Sequence, residues 1–279
     1  MSTPLLTVED LEVVFQTPRG PVNAVRGVSF ELGRERLGIV GESGSGKSQT
    51  GRALLRLSAH NAKVTAKRME FDGIDLLRAS ERDLRKIRGA RISMIMQDPR
   101  YSLNPVVTVG EQICEAYLIH ANASRSQARD KAMEMLRTVQ IREPEKVYDL
   151  YPHQVSGGMG QRVMIAMMLI PSPDIIIADE PTSALDVTVQ MQVLALLDDM
   201  VSELGMGLIL ISHDLNLVAS FCDRVLVMYG GRVVEVLEAG DLSAAQHPYT
   251  KGLLNCVPEL DRPQAVLPVL ERDPTWLSD

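Results

Sequence analysis

Aromatic residues are scarce in this chain, at 4% of 279 positions. Proteins that hold single-stranded nucleic acid stack its bases on aromatic rings above a basic groove. The charge balance is equally unsuited to such binding, since 29 Lys and Arg against 36 Asp and Glu leave a formal net charge of −7. An acidic surface gives a phosphate backbone little to bind, so broad nucleic-acid binding is not expected, although local basic pockets stay open. Cysteines number three, at Cys114, Cys222 and Cys256. Their odd count, wide spacing and lack of a CxxC pair argue against a disulfide framework or zinc cage and for a reducing compartment. Apolar runs such as Val163 to Ile170 fall far short of the ~18 residues that cross a bilayer. The first ten residues lack the basic start and apolar core of a secretory signal. The expectation is a chain that does not cross a membrane by itself and reaches one only through a partner. No internal repeat is visible.

What remains is a globular composition, 45% hydrophobic and 23% charged. The length suggests about two domains or lobes, with enough apolar material for a core that needs no metal or disulfide. Short apolar segments, Leu11 to Phe15 and Val28 to Leu32, read as strands separated by the turn residues Pro18, Gly20 and Pro21. Leu37 to Val40 reads as a buried strand running into a glycine-rich loop, with a helix expected from Lys47 to about Leu57. Ile92 to Met96 is a further buried strand. Between Val109 and Met168 apolar residues recur three and four apart, as at Ala128, Ala132, Met135 and Leu136, which predicts a helical insert. Strand and helix then alternate: Ile175 to Ala178, Val187 to Leu204, Leu208 to Ile211, Leu215 to Ser220, and Val225 to Met228. That order predicts an α/β fold with a mostly parallel sheet. Beyond Asp261 prolines recur without periodicity, and irregular structure is expected.

Gly41-Glu42-Ser43-Gly44-Ser45-Gly46-Lys47-Ser48 fits the pattern G-x-x-x-x-G-K-[ST]. Glycines allow backbone N–H groups to turn inward around phosphate oxygens, and the helix that follows adds positive potential at its N-terminus. Lys47 would reach the β- and γ-phosphates, and the Ser48 hydroxyl would ligate Mg²⁺. The plainer alternative is a glycine-rich turn, which the strand before and the helix after make less apt. Asp179 and Glu180 end the apolar run Ile175 to Ala178. Neighbouring strand residues point to opposite faces, so the two acids take different roles. Asp179 would hold the metal, and Glu180 would act as general base on a water.

With these residues in place, Ser156-Gly157-Gly158-Met159-Gly160-Gln161-Arg162 resembles the signature loop of the ATPase subunits of ATP-binding cassette (ABC) transporters. Ser156 is also suited to cap a helix starting near Gly157. The resemblance extends to Gln97, similar to the glutamine that touches Mg²⁺ and the attacking water, and to Ser183 to Asp186, similar to the D-loop. Asp186 is placed to cap the helix from Val187. His213 resembles the histidine that contacts the γ-phosphate, and Phe15 the aromatic that stacks on adenine. Gly41, Ser43, Gly44, Ser45, Gly46, Lys47, Ser48 and Gln49 are implied to surround the nucleotide. Ser156, Gly157 and Gly158 are implied to close over ATP held by a second subunit.

Finer features resemble the oligopeptide, dipeptide and nickel importers: Tyr151 to Gln154, Leu185 to Gln190, and His247-Pro248-Tyr249-Thr250. Two residues depart from that pattern, Gly160 where arginine is common and Val155 where leucine is usual. No cysteine follows Cys256, so the iron–sulfur cluster of some members is not expected. The resemblance implies a P-loop NTPase core over residues 1–260, with an N-terminal antiparallel β subdomain, a helical subdomain at about 98–170 and an irregular tail at 261–279. It implies ATP and Mg²⁺, a transmembrane permease docking near Asp98 to Thr108, a second ABC ATPase subunit and, indirectly, a solute-binding protein. The implied place is the cytoplasmic face of the inner membrane. The implied activity is ATP hydrolysis that powers uptake of peptides or a related solute. The alternatives are a non-transport cassette ATPase and a regulatory nucleotide-binding subunit.

Overall fold

The computed structural model describes residues 4–97, 102–183 and 186–255, together with Asp273 and Trp276. These form two compact units, Met1–Ala79 with Ile209–Asp279, and Ser80–Leu208.

In the first unit, β1 (Leu6–Thr17) and β2 (Gly20–Leu32) make a long antiparallel hairpin. The expected strands Leu11 to Phe15 and Val28 to Leu32 are the most apolar parts of these longer ones. Along β1 the buried residues Leu6 and Val8 are followed by Leu11 and Val13. An offset of three would turn the second pair to the opposite face, because side chains alternate with period two. The register shifts between Val8 and Leu11, where Asp10 takes φ +56° and donates its N–H to Ser29 Oγ at 2.8 Å. This bulge returns Leu11 and Val13 to the buried face. The other edge of β1 pairs with β4 (Ala62–Thr65) and β5 (Arg68–Phe71), and β5 pairs with β6 (Ile74–Asp75).

Still in the first unit, β3 (Arg36–Val40) lies parallel to β10 (Arg224–Tyr229), with Gly38 opposite Val225. β11 (Arg232–Glu238) adds antiparallel to β10, and β9 (Gly207–Ser212) flanks the other side of β3. Leu37, Ile39 and Val40 are buried, as are Val225 to Met228, the continuous apolar pattern of strands covered on both faces. Helix α1 (Lys47–Leu54) follows β3. It stops short of the expected Leu57 because Arg56 takes a left-handed φ of +50°. Its N–H then donates to Ala53 O and that of Leu57 to Arg52 O, both at 2.9 Å. That is a Schellman closure built without glycine. Helices α8 (Leu215–Phe221) and α9 (Pro248–Asn255) complete this unit.

The second unit begins with α2 (Glu81–Ile87) and pairs β7 (Ile92–Ile95) in parallel with β8 (Ile175–Asp179). Between these strands run α3 (Val109–Leu118), α4 (Arg125–Thr138), α5 (Pro144–Tyr148) and α6 (Gly157–Leu169), the expected helical stretch without a strand. α7 (Val187–Leu204) follows β8 and matches the expected limits. Helix starts are written in side chains that accept an N–H three residues on: Thr108 for α3, Ser124 for α4, Ser156 for α6 and Asp186 for α7. Each such cap is worth about 1 kcal/mol.

Candidate nucleotide site

The phosphate loop leaves the end of β3 at Gly41 and enters α1 at Lys47. Gly46 is the residue before the helix and has φ +99°, and it offers no side chain to cap the first turn. No acidic residue lies in that first turn. The amide end of α1 therefore keeps the positive potential that suits an anion. A Cβ at Gly46 would lie 2.4 Å from the Ala24 carbonyl oxygen, and one at Gly41 would lie 2.1 Å from that of Met228. Backbone from β2 and β10 thus presses against the loop. We expect Gly46→Ala to destabilise the chain by about 2–4 kcal/mol, the sum of left-handed strain and overpacking. Thermal denaturation checks this, and an unchanged melting temperature would count against the tight loop.

Lys47 is 5% exposed, and its Nζ donates to Gly41 O at 2.8 Å and Glu42 O at 2.9 Å. The ammonium is folded back over the loop, held by carbonyl oxygens of the residues that would surround a phosphate. Ser45 Oγ and Gln49 Oε1 are buried and have no hydrogen-bond partner. Two orphaned oxygens at this loop fit a missing polar ligand, since buried polar groups are normally satisfied. Ser43 and Gly44 are exposed and Ser48 half-buried, so the loop's outer rim is open. Phe15 is half-buried in β1, opposite Val22 and Ala62, and is not part of the closed core. His213 is exposed in the turn between β9 and α8. The next residue, Asp214, donates its N–H to Ser212 Oγ at 3.1 Å and caps α8 by accepting from Leu217 N–H at 3.0 Å.

In the second unit, register brings together two of the expected residues. Ile95 pairs with Ala178, so Gln97 and Glu180 each lie two residues beyond a matched pair at the same end of parallel strands. Gln97 Nε2 donates to Glu180 Oε2 at 3.1 Å. Asp179 is the last residue of β8 and is 3% exposed, whereas Glu180 is half-buried with φ +47°. The two acids thus occupy different environments, because the strand ends at Asp179 and the chain turns away at Glu180 with a left-handed backbone. Ends of parallel strands are where α/β sheets hold ligands. A carboxylate and a hydroxyl, as offered by Asp179 and Ser48, are hard oxygen donors of the kind Mg²⁺ takes.

The signature residues sit at the head of α6. Ser156 Oγ accepts the Met159 N–H at 3.3 Å, the capping role its position predicts. Gly157 is exposed, and a Cβ on Gly158 would lie 2.9 Å from Val189 Cγ1 in the first turn of α7. Asp186 caps that turn by accepting from Val189 N–H at 3.1 Å. Residues 98–101 of the expected docking segment and Ala184 and Leu185 of the D-loop lie outside the described residues. Arg162 ties this region together in a way the motif alone did not suggest. It donates to Val139 O at 2.9 Å, Gln140 Oε1 at 3.3 Å and Gln192 Oε1 at 3.2 Å. Burial draws its guanidinium below the usual arginine pKa. Its place within the signature run was the available signal.

A protein-family model described as ABC transporter matches residues 25–183. The oligopeptide transport ATP-binding protein OppD of Escherichia coli K12 is 50% identical over 259 residues, covering 92% of this chain and 77% of that protein. The dipeptide transport ATP-binding protein DppD of Bacillus subtilis 168 is 50% identical over 273 residues, 97% of this chain and 82% of that one. Among solved structures, a dimeric ATP-binding cassette in a post-hydrolysis state, bound to ADP and Pi, superposes with a TM-score of 0.75 at 27% identity. That match covers 84% of this chain and 98% of the cassette.

Proposed function

From the premise that this chain belongs to the ABC transporter family of ATPases, we propose that it is the ATP-hydrolysing subunit of a peptide importer. Its fold is the P-loop NTPase cassette, with antiparallel and mostly parallel sheets and inserted helices. Lys47 and the amide end of α1 take the phosphates, with Ser45 and Gln49 supplying further polar contacts and Phe15 the adenine face. Gly41, Ser43, Gly44 and Gly46 shape the backbone around them. Ser48, Asp179 and Gln97 would hold Mg²⁺, which neutralises phosphate charge when bound. Glu180 accepts a proton from the water whose oxygen attacks the γ-phosphorus, and ADP departs with the bond electrons. Gln97, by donating to Glu180, fixes the orientation of that carboxylate. His213 contacts the γ-phosphate. The observation that carries this reading is the Gln97–Glu180 hydrogen bond at the paired ends of β7 and β8.

Ser156, Gly157 and Gly158 serve ATP bound to a second ABC subunit, so the working form is a head-to-tail pair. The dimeric cassette among the structural relatives supports this. We place the permease against the second unit. There a cavity of about 910 Å³ is lined by Val107, Thr108, Ile119, Tyr148 and Tyr151, and Ile119 is exposed, as is Val106 next to Val107. Among the described residues no helix is long and apolar enough to cross a membrane. The relatives named as transport ATP-binding proteins support a peripheral subunit on the cytoplasmic face. A solute-binding protein would act at one remove, through the permease. Residues 1–260 form the ATPase domain in this reading, with a helical subdomain at about 98–170 and a tail at 261–279. Relatives named as peptide, oligopeptide and dipeptide transport ATP-binding proteins support this transport role over a non-transport or purely regulatory one. Reconstitution with the native permease tests the proposal: ATP-dependent uptake of peptides is expected. Uptake of nickel or sugars alone would overturn the cargo assignment, and ATP hydrolysis unaffected by the permease would overturn the transport role.

A further inference from the structure

The motif His247-Pro248-Tyr249-Thr250 lies far from the phosphate loop in sequence and has no part in the chemistry above. In the fold it touches that loop. Tyr249, in the first turn of α9, is fully buried, and its hydroxyl accepts the backbone N–H of Glu42 at 3.0 Å. That N–H belongs to the same peptide unit as the Gly41 carbonyl, and the Gly41 oxygen accepts from Lys47 Nζ at 2.8 Å. A trans peptide points its N–H and C=O in opposite directions within one rigid plane. The plane is therefore gripped at one edge by Tyr249 and at the other by the ammonium. Turning it would carry the Gly41 oxygen away from Lys47.

The hydroxyl is itself held in place. The Tyr249 ring rests on Tyr229, the last residue of β10, with centroids 4.5 Å apart, and Trp276 meets both rings edge-on at 5.9 and 5.6 Å. The start of α9 is fixed by Glu235 of β11, whose Oε1 accepts the N–H groups of Gln246 and His247. His247 Nδ1 in turn accepts the Tyr249 N–H at 3.2 Å. A chain of contacts thus runs from β11 and Trp276 through Tyr249 to the peptide that seats Lys47.

We propose that Tyr249 is a positioning residue for the phosphate-binding lysine, acting through the Gly41–Glu42 peptide, and that Trp276 steadies it. The inference rests on the nucleotide reading of the loop and deepens it. Tyr249→Phe keeps the ring and removes the hydroxyl. One neutral hydrogen bond is worth about three- to tenfold in binding, so ATP and ADP affinities are expected to fall by about that factor. Adenosine, which has no phosphate, should bind as before, and the melting temperature should move little. A role confined to packing would instead lower the melting temperature or weaken all three ligands alike. ATP affinity within twofold of the parent, or an equal loss for adenosine, overturns the proposal. Trp276→Leu is the second variant should Tyr249→Phe not fold. It is expected to cost roughly twofold for ATP and ADP and nothing for adenosine, and no change for ATP and ADP overturns the steadying role. Lys47→Ala run in parallel separates the two ideas: if it leaves ATP affinity intact, the nucleotide reading itself fails. If it weakens ATP while Tyr249→Phe does not, only the positioning role fails.

Discussion

Glu180→Gln is expected to bind ATP as tightly as the parent and to hydrolyse it about 10²- to 10⁴-fold more slowly, the usual worth of a general base. The amide has nearly the shape of the carboxylate, and its oxygen can still accept the Gln97 Nε2–H now found 3.1 Å from Glu180 Oε2. The local geometry therefore survives, while the capacity to take a proton from water is lost. If ATP is shared between two subunits as proposed above, the variant should also stay paired once ATP is bound. Steady-state hydrolysis and size-exclusion chromatography with and without ATP measure the two effects. Hydrolysis within a few-fold of the parent would remove Glu180 from the role of base. Loss of ATP binding in the same variant would point to misfolding of the β8 end.

Lys47→Ala acts one step earlier. The side chain is buried, and its ammonium is already within hydrogen-bond distance of two loop carbonyls, on Gly41 and Glu42. A hydrogen bond involving a charged group is worth about 1.5–3 kcal/mol, so ATP affinity is expected to fall roughly ten- to hundredfold. Loss of the cation also leaves those carbonyls short of a donor, which adds to the cost and loosens the loop. Titration with a fluorescent ATP analogue measures it, and an unchanged dissociation constant contradicts the assignment of this loop to phosphate. The two variants separate cleanly: one loses turnover at full binding, the other loses binding.

Much of this site was legible in the residues because its chemistry demands fixed spacing within short segments. Gly41 to Ser48 and the acids after Ile175 to Ala178 each lie within one strand-to-loop junction, where local pattern and local structure coincide. The caps at Ser156 and Asp186 were readable for the same reason, since a cap and its amide are three residues apart. Other features were hidden by their dependence on distant parts of the chain. β4 is Ala62-Lys63-Val64-Thr65, too short and polar to announce a strand, and it forms because β1 presents it a ladder of hydrogen bonds. The end of α1 rests on Arg56 adopting a left-handed backbone, a conformation that composition signals only when the residue is glycine or asparagine. The bulge at Asp10 is visible only as a break in the period of buried residues. The hydrogen bond from Glu42 to Tyr249 spans 207 positions, and no local pattern reports such a contact.

The first unit is assembled from the two ends of the chain, with residues 80–208 intervening. β3 finds its parallel neighbour β10 only after Val225 has been made, and Glu42 finds Tyr249 later still. During synthesis the glycine loop therefore emerges from the ribosome long before the strand and helix that brace it. Chains fold from the N-terminus as they appear, at about 5–20 residues per second. The β1–β2 hairpin and the helices of the second unit can form in that interval, but the strand edge of β3 stays bare for on the order of ten seconds or more. Ribosome-bound fragments ending before residue 224 carry every residue of the loop and lack the backbone that β10 presses against it.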